Sequence, residues 1–315
     1  MVCGKKRKVR SMSKKKKKVI SRSMGERVSN IVIYILVGIA ALITLVPFVY
    51  IVSMSVSDPE AVMRQEVFLI PKGFTLEAFK RIFGLKGIGR AYLNTFIYLV
   101  SITLLSDLAC LLAAYPLCLK RLWGRKFWTV FLIIPMFFSG GLIPTFVLMV
   151  KMGLYNNMLA IIVPSIVSLW NIVLVRTYFK TLPYSLFESA YIDGANDFQT
   201  LFRIVVPLAK PIIAVVTLYT AVGVWNNWFN ARLYLQDENL YPLQYYLAQL
   251  LVFKSDGFGD TVNVINNTQD TINAFMSATQ MKYAMIVFVM APIICLYPFL
   301  QKYFIKGALI GSLKE

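Results

Sequence analysis

The sequence predicts an all-α, polytopic membrane protein with six transmembrane helices. Three observations carry that prediction. Apolar residues make up 58% of the 315 positions and mean hydropathy is +0.64, whereas soluble domains hold about 45–50% apolar residues. Six runs, at 31–54, 92–118, 128–150, 157–179, 205–226 and 282–304, match the roughly 20 apolar residues that a membrane span needs. Finally, the positive charges are segregated. With the N-terminus inside, segments 1–30, 119–126, 176–203 and 302–315 hold 22 of the 33 Lys and Arg, and the outer segments 54–92, 151 and 227–282 hold 10. Basic residues collect on the cytoplasmic side of a membrane, so both termini are expected inside the cell, in the plasma membrane.

Residues 1–30 carry Lys5, Lys6, Arg7, Lys8, Arg10 and the run Lys14 to Lys18. A nucleic-acid arm has this composition, but a disordered cytoplasmic anchor that touches anionic lipid headgroups is favoured, and no nucleic acid is expected as a partner. The apolar run that follows is too long for a signal-peptide core and has no small-residue cleavage site, so it is kept as the first span. An outer segment of nearly forty residues, broken by Pro59, Pro71 and Gly73, completes a unit over 31–91. The second span begins at Asn94-Thr95 and ends near Tyr115-Pro116-Leu117, before a short basic loop with Lys120, Arg121, Arg125 and Lys126. Ser139-Gly140-Gly141 and Pro144 are expected to break the third span. Membrane helices tolerate such breaks when neighbours satisfy the freed backbone groups. The fourth span carries Trp170-Asn171 and exits at Arg176. The fifth runs from Pro207 and Pro211 to Trp225-Asn226-Asn227-Trp228. A polar outer loop, 229–281, leads to the sixth span and a tail over 305–315.

Between the fourth and fifth spans lies Ser185–Pro207, the one amphipathic helical stretch on the inner side. Ser185 with Glu188, and Asn196 with Gln199, each have capping-box spacing. Asp193-Gly194 between them is a turn dipeptide, because glycine accepts positive φ without steric cost. The first helix groups Leu186, Phe187, Ala190 and Tyr191 on one face, and the second groups Phe198, Leu201, Phe202 and Val205. Glu188, Asp193 and Asp197 argue against burial in a negatively charged inner leaflet and for a basic groove on a partner.

Glu188-Ser189-Ala190, then Gly194 after three residues, then Ile204-x-Val206-Pro207 after nine more, resemble the EAA loop of binding-protein-dependent ABC importers. Ser189 stands where the family usually has a second Ala, and Val206 where it has Leu. The resemblance implies the type I (MetI-like, MalG-like) permease fold, with residues 92–304 as the shared transmembrane core and 184–206 as its coupling helices. It implies that this loop docks on a cytoplasmic ATPase through Glu188, Ser189, Ala190, Asp193, Gly194, Phe198, Ile204 and Pro207. Tyr115-Pro116-Leu117, Gly140-Gly141-Leu142-Ile143-Pro144, Tyr241-Pro242-Leu243 and the Gln301–Lys314 tail look like the subgroup that imports complex oligosaccharides and polysaccharide fragments, commonest in Gram-positive bacteria. Glu315 differs from the Gly often found there. The family further implies a second homologous permease as heterodimer partner, two ATPase subunits that use ATP and Mg, and an extracellular solute-binding lipoprotein. No cofactor is expected on this chain.

The residues themselves suggest no catalytic constellation. There is no His, which removes His-based metal sites and triads, and no metal site is expected; nor is there a G-x-x-x-x-G-K-[ST] phosphate loop. The four cysteines, Cys3, Cys110, Cys118 and Cys295, avoid the outer loops and are read as inert. Asp107 lies deep in a span. Such a carboxylate serves either as a proton-relay candidate or as a tie to another helix or subunit. A sugar path needs aromatic faces and amide groups, and Trp225, Asn226, Asn227 and Trp228, with Trp170 and Asn171, supply both. An aromatic belt at the membrane interface is the alternative for these tryptophans. An ion-coupled secondary carrier or channel is the alternative function, and it leaves Ser185–Pro207 unexplained.

The topology is checked by labelling single cysteines in intact cells with a membrane-impermeant reagent. Positions 240–270 are expected to label from outside, and positions 190–200 only after permeabilisation.

Overall fold

The apolar stretches become helical in the computed structural model, which describes residues 24–249, 251 and 277–295; among these there is no strand. The helices are α1 (Met24–Ser55), α2 (Pro59–Met63), α3 (Glu77–Gly84), α4 (Ile88–Cys118), α5 (Arg125–Phe137), α6 (Leu142–Lys151), α7 (Leu159–Ser165), α8 (Leu169–Phe179) and α9 (Ser185–Ile192). They continue as α10 (Asp197–Leu208) and α11 (Lys210–Trp225), α12 (Phe229–Tyr234), α13 (Leu243–Ala248) and α14 (Ser277–Cys295). Most of the basic tail, residues 252–276 and the C-terminal tail from 296 onward lie outside the described residues, so the readings placed there have no structural counterpart.

Among the described residues, four stretches are long and apolar enough to cross a membrane: Val28–Ser55, Ile88–Cys118, Leu159–Phe179 and Ser277–Cys295. Two bent pairs raise the number to six if each is one span: α5 with α6, at 109°, and α10 with α11, at 86°. These six correspond to the six runs in the sequence. The described chain falls into two compact units, one ending at Val49 and the other beginning at Tyr50. In the first, α1 exposes its apolar side chains almost throughout, as a helix solvated by lipid would.

In the second unit α4 is the spine. At 31 residues it is about 46 Å long, well beyond the roughly 30 Å hydrocarbon core. Its packed faces carry small side chains, Ala91, Ser106, Cys110 and Ala114, each at most 2% exposed. Lipid tails are as apolar as leucine, so close helix approach depends on such small residues and on polar ties. The Thr217 hydroxyl of α11 lies 2.6 Å from Asp107 Oδ2 on α4. Asp107 is therefore tied to another helix of its own chain.

Two expectations are corrected here. The fifth span does not run straight from 205. The chain turns through 86° at the break around Ala209, where Pro207 and Pro211 remove two backbone donors from the ladder. Nor is the segment after Trp228 a plain polar loop. Tyr234, Leu243, Tyr245 and Leu247 are buried, and the stretch is fastened to the start of α4. Asn94 Nδ2 donates to the carbonyls of Asn239 at 2.7 Å and Tyr241 at 3.2 Å. The Tyr98 hydroxyl donates to the Leu240 carbonyl at 2.9 Å, and the Leu243 amide to Thr95 Oγ1 at 2.8 Å. On the other side, Asn156 Oδ1 accepts the amides of Gln236 and Asp237, both at 2.8 Å. Irregular backbone beside a membrane helix needs its polar groups matched, and side chains of α4, with Asn156, supply these matches.

Asn94→Leu removes the side-chain donor shared by the Asn239 and Tyr241 carbonyls, of which the second bond is buried. It is expected to destabilise the fold by about 1–3 kcal/mol, seen as a lower unfolding temperature in detergent while membrane insertion persists.

Candidate functional site

The Ser185–Pro207 stretch folds as the sequence proposes, as two short helices around a glycine turn. Gly194 has φ +76, in the left-handed region. Asn196 caps α10: its Oδ1 accepts the Gln199 amide at 2.8 Å, and Gln199 Oε1 accepts the Asn196 amide at 3.0 Å. The other capping box does not form. The N-cap of α9 is Tyr184, which already has helical dihedrals and makes no side-chain cap. The turn begins at Pro183, and the Glu188 amide bonds to the Tyr184 carbonyl at 3.2 Å, so Ser185 falls inside the helix.

The apolar faces divide differently from expectation. Phe187 and Ala190 are buried, as are Leu201 and Val205, whereas Leu186, Tyr191, Phe198 and Phe202 are exposed. Phe187, Leu201 and Val205 enter one core with Cys110, Leu111, Ala114, Tyr115, Ile172, Val175, Phe179 and Val216. The chain thus covers half of each face itself, because the ends of α4 and α8 lie directly against it. Glu188, Ser189, Asp193, Gly194, Phe198 and Pro207 remain exposed, Ile204 is half-buried, and Ala190 is inward.

Asp197 is not free for a partner's cation, which corrects the expectation for the acidic trio. Arg121 of the α4–α5 loop forms an ion pair with its Oδ1. The hydroxyls of Tyr115 and Tyr191 reach the same oxygen at 3.3 Å and 3.2 Å. The Arg121 guanidinium also lies over the Tyr191 ring, 4.2 Å from its centroid, and the Asp197 hydrogen bond raises its pKa above the usual arginine value. Next to it, Lys120 Nζ lies 4.4 Å from the Tyr184 ring centroid.

The second feature is a cleft between α8 and α11 with a volume of about 430 Å³. Small-molecule pockets span about 300–1,000 Å³. Trp170, Asn171 and Asn227 line it, and so do Ser165, Ser168, Tyr219 and Thr220; none of its lining side chains is charged. The cleft opens where α7 gives way to α8, at the break capped by Ser168, so interruption of a span creates the polar recess. Trp170 is exposed, while Asn171 is buried and donates to Thr220 Oγ1 at 3.1 Å. The three other path residues lie outside the cleft lining. Trp225 is in the core with Ala78, Ile82 and Leu243. Asn226 bonds the Val222 carbonyl at 2.9 Å, ending α11. Trp228 packs beside Tyr98, Ala231 and Tyr241. Four successive residues at a helix end point in different directions, so they do not form one wall.

The model of the family "binding-protein-dependent transport system inner membrane component" matches residues 108–237. The polygalacturonan/rhamnogalacturonan transport system permease protein YtcP of Bacillus subtilis is 35% identical over 92% of this chain and 100% of its own length. Protein LplC of the same organism is 36% identical over 91% and 95%. This chain belongs to that permease family. A solved structure, that of a bacterial ABC transporter involved in the import of the acidic polysaccharide alginate, matches with a TM-score of 0.78 at 35% identity, covering 90% of this chain and 99% of that one. The protein is thus an ABC importer permease of the MetI-like fold and a membrane component. The part of the permease matched by the family model holds α9–α10 and every residue that lines the cleft except Ile102. Sequence reasoning passed over Tyr115, Lys120 and Arg121 as site residues, although Tyr115 sits in a quoted motif and the cations in a quoted basic loop. It had no signal for Tyr219 or Thr220, which resemble ordinary span residues.

A Cβ at Gly194 meets no atom within 4 Å, so the main cost of substitution is backbone strain at its positive φ. Gly194→Val is expected to cost on the order of 1–3 kcal/mol and to impair coupling with normal insertion. Gly194→Asn is expected to be milder, because Asn tolerates positive φ. Membrane levels and ATP-driven uptake of the two variants measure the difference.

Proposed function

We propose that this permease pairs with a second, homologous permease to form the translocation path of an ATP-driven importer for an oligosaccharide or polysaccharide fragment. An extracellular solute-binding lipoprotein delivers the substrate. Two cytoplasmic ATPase subunits use ATP with Mg, and this chain holds no cofactor and performs no catalysis. Both termini lie in the cytoplasm, and the source is a Gram-positive bacterium, a reading supported by the two Bacillus relatives.

The observation that carries this reading is the exposed face of α9–α10. Leu186, Glu188, Ser189, Tyr191, Ile192, Asp193 and Phe198 all face outward, while the same two helices are rooted in the membrane core through Phe187, Leu201 and Val205. A surface that combines exposed apolar and acidic side chains suits a basic, apolar-lined groove. Rooted in this way, it transmits displacement into the spans. Glu188 and Asp193 are its acidic contacts, with Ser189, Gly194 and Phe198 between them. The substrate class is supported by the cleft, where the Trp170 and Tyr219 rings offer faces for a pyranose and Ser165, Ser168, Asn171, Thr220 and Asn227 offer hydroxyl and amide partners.

A deletion strain given a panel of oligosaccharides is expected to lose uptake of one class, with fragments of acidic polysaccharides the first to be tried. Complementation with Trp170→Ala is expected to lower uptake severalfold while ATPase association holds. Complementation with Glu188→Lys is expected to reduce ATPase association through charge reversal. Full uptake with both variants would remove the basis for this reading.

A further inference from the structure

Lys120 and Arg121 are adjacent residues of one loop, yet they hold opposite ends of α9. Lys120 lies over Tyr184, the N-cap, and Arg121 over Tyr191, in the last turn. Arg121 also pairs with Asp197, the first residue of α10. The one oxygen that takes this ion pair also takes the hydroxyls of Tyr115 from α4 and Tyr191 from α9. Four segments, α4, the α4–α5 loop, α9 and α10, therefore meet at a single carboxylate.

Stability alone gives little reason for this arrangement. Arg121 and Asp197 keep 44% and 48% of their side-chain surface exposed, and exposed pairs contribute little to folding. Directionality is what the apolar contacts below them lack. Packing of Phe187, Leu201 and Val205 against α4 and α8 resists separation but is non-directional. Hydrogen bonds and stacked cations fix angle and register. Asp197 also places its charge at the start of α10, where the helix dipole favours an anion.

We infer that Lys120, Arg121 and Asp197 form a clamp that makes α9, α10 and the end of α4 move as one body, so that these are positioning residues for energy coupling. This rests on the proposed reading that the ATPase seats on α9–α10. A push on the exposed face reaches α4 through the clamp without the helix pair swivelling on its apolar root. With the clamp open, the ATPase still docks and hydrolyses ATP, but its closure turns α9–α10 instead of moving α4.

The test uses the complete transporter in proteoliposomes, with Arg121→Ala, Arg121→Lys, Asp197→Asn, Lys120→Ala and the Arg121→Ala/Asp197→Asn double variant. Four quantities are measured: assembled complex, basal ATP hydrolysis, hydrolysis stimulated by the loaded binding protein, and a disulfide crosslink from Ser189→Cys to the ATPase. Expected are unchanged assembly, basal hydrolysis and crosslink, with stimulated hydrolysis and uptake lower by about fivefold or more in Arg121→Ala and Asp197→Asn. Lys120→Ala is expected to give a smaller loss. Arg121→Lys is expected to recover part of the stimulation, because it keeps the charge and loses the fork. The double variant is expected to be no worse than either single one, as for residues of one unit. Wild-type stimulation in both Arg121→Ala and Asp197→Asn, additive losses, or a loss that only tracks reduced assembly would overturn the clamp. No crosslink from Ser189→Cys in a complex with the clamp residues intact would overturn the seating of the ATPase, and the clamp with it.

Discussion

The packing of Phe187, Leu201 and Val205 against the ends of α4 and α8 and the start of α11 is the contact on which the rest of the site depends. Burying three large apolar side chains from water is worth about 1.5–3 kcal/mol each. Tertiary packing of this kind, more than intrinsic propensity, holds two short helices, since isolated helices shorter than about 12–15 residues are marginal. The same contact decides which half of each amphipathic face stays outside. Leu186, Tyr191, Ile192, Phe198 and Phe202 are exposed because the inner half is already taken.

Helix α4 carries this contact to the far end of the unit. Near its C-terminus it meets α9 and α10. In the middle, Asp107 bonds Thr217 of α11. Near its N-terminus, Asn94, Thr95 and Tyr98 hold the Asn239–Leu243 backbone. A helix transmits displacement along its axis because its own ladder bonds resist extension. The polar ties then decide which neighbours follow. Asn171 to Thr220 is a similar tie between α8 and α11, and it lies in the wall of the cleft, so a shift of either helix reshapes the recess.

The breaks in the spans have a shared logic. Gly140-Gly141 separates α5 from α6, Ser168 caps the restart of α8, and Pro207 and Pro211 turn α10 into α11. Each break frees backbone groups that lipid cannot satisfy. Each therefore requires a protein neighbour or a wet recess. The break before α8 borders the cleft, while the one at Ala209 sets α10 at 86° to α11, with Leu201 and Val205 packed inward and Phe198 and Phe202 left exposed.

Length and hydropathy in the sequence were enough for an all-helical membrane architecture, with six spans when each bent pair is taken as one, because lipid demands about 20 apolar residues per crossing wherever the chain later packs. Local chemistry also determined the Asn196–Gln199 capping box and the positive φ of Gly194, which depend on neighbours only a few residues away. The helix–glycine–helix plan of α9–α10 and the break at Gly140-Gly141 were legible for the same reason. Tertiary structure decided everything that hinges on distant partners. Periodicity placed Phe187 and Tyr191 on one face, but only α4 and α8 could bury the first and leave the second outside. Trp225 and Asn227 are two residues apart, yet one is in a core and the other lines a cleft. Asp197 looked like a free acid because Arg121 and Tyr115 are 76 and 82 positions away; a charge finds its partner in space, and no local pattern encodes that meeting.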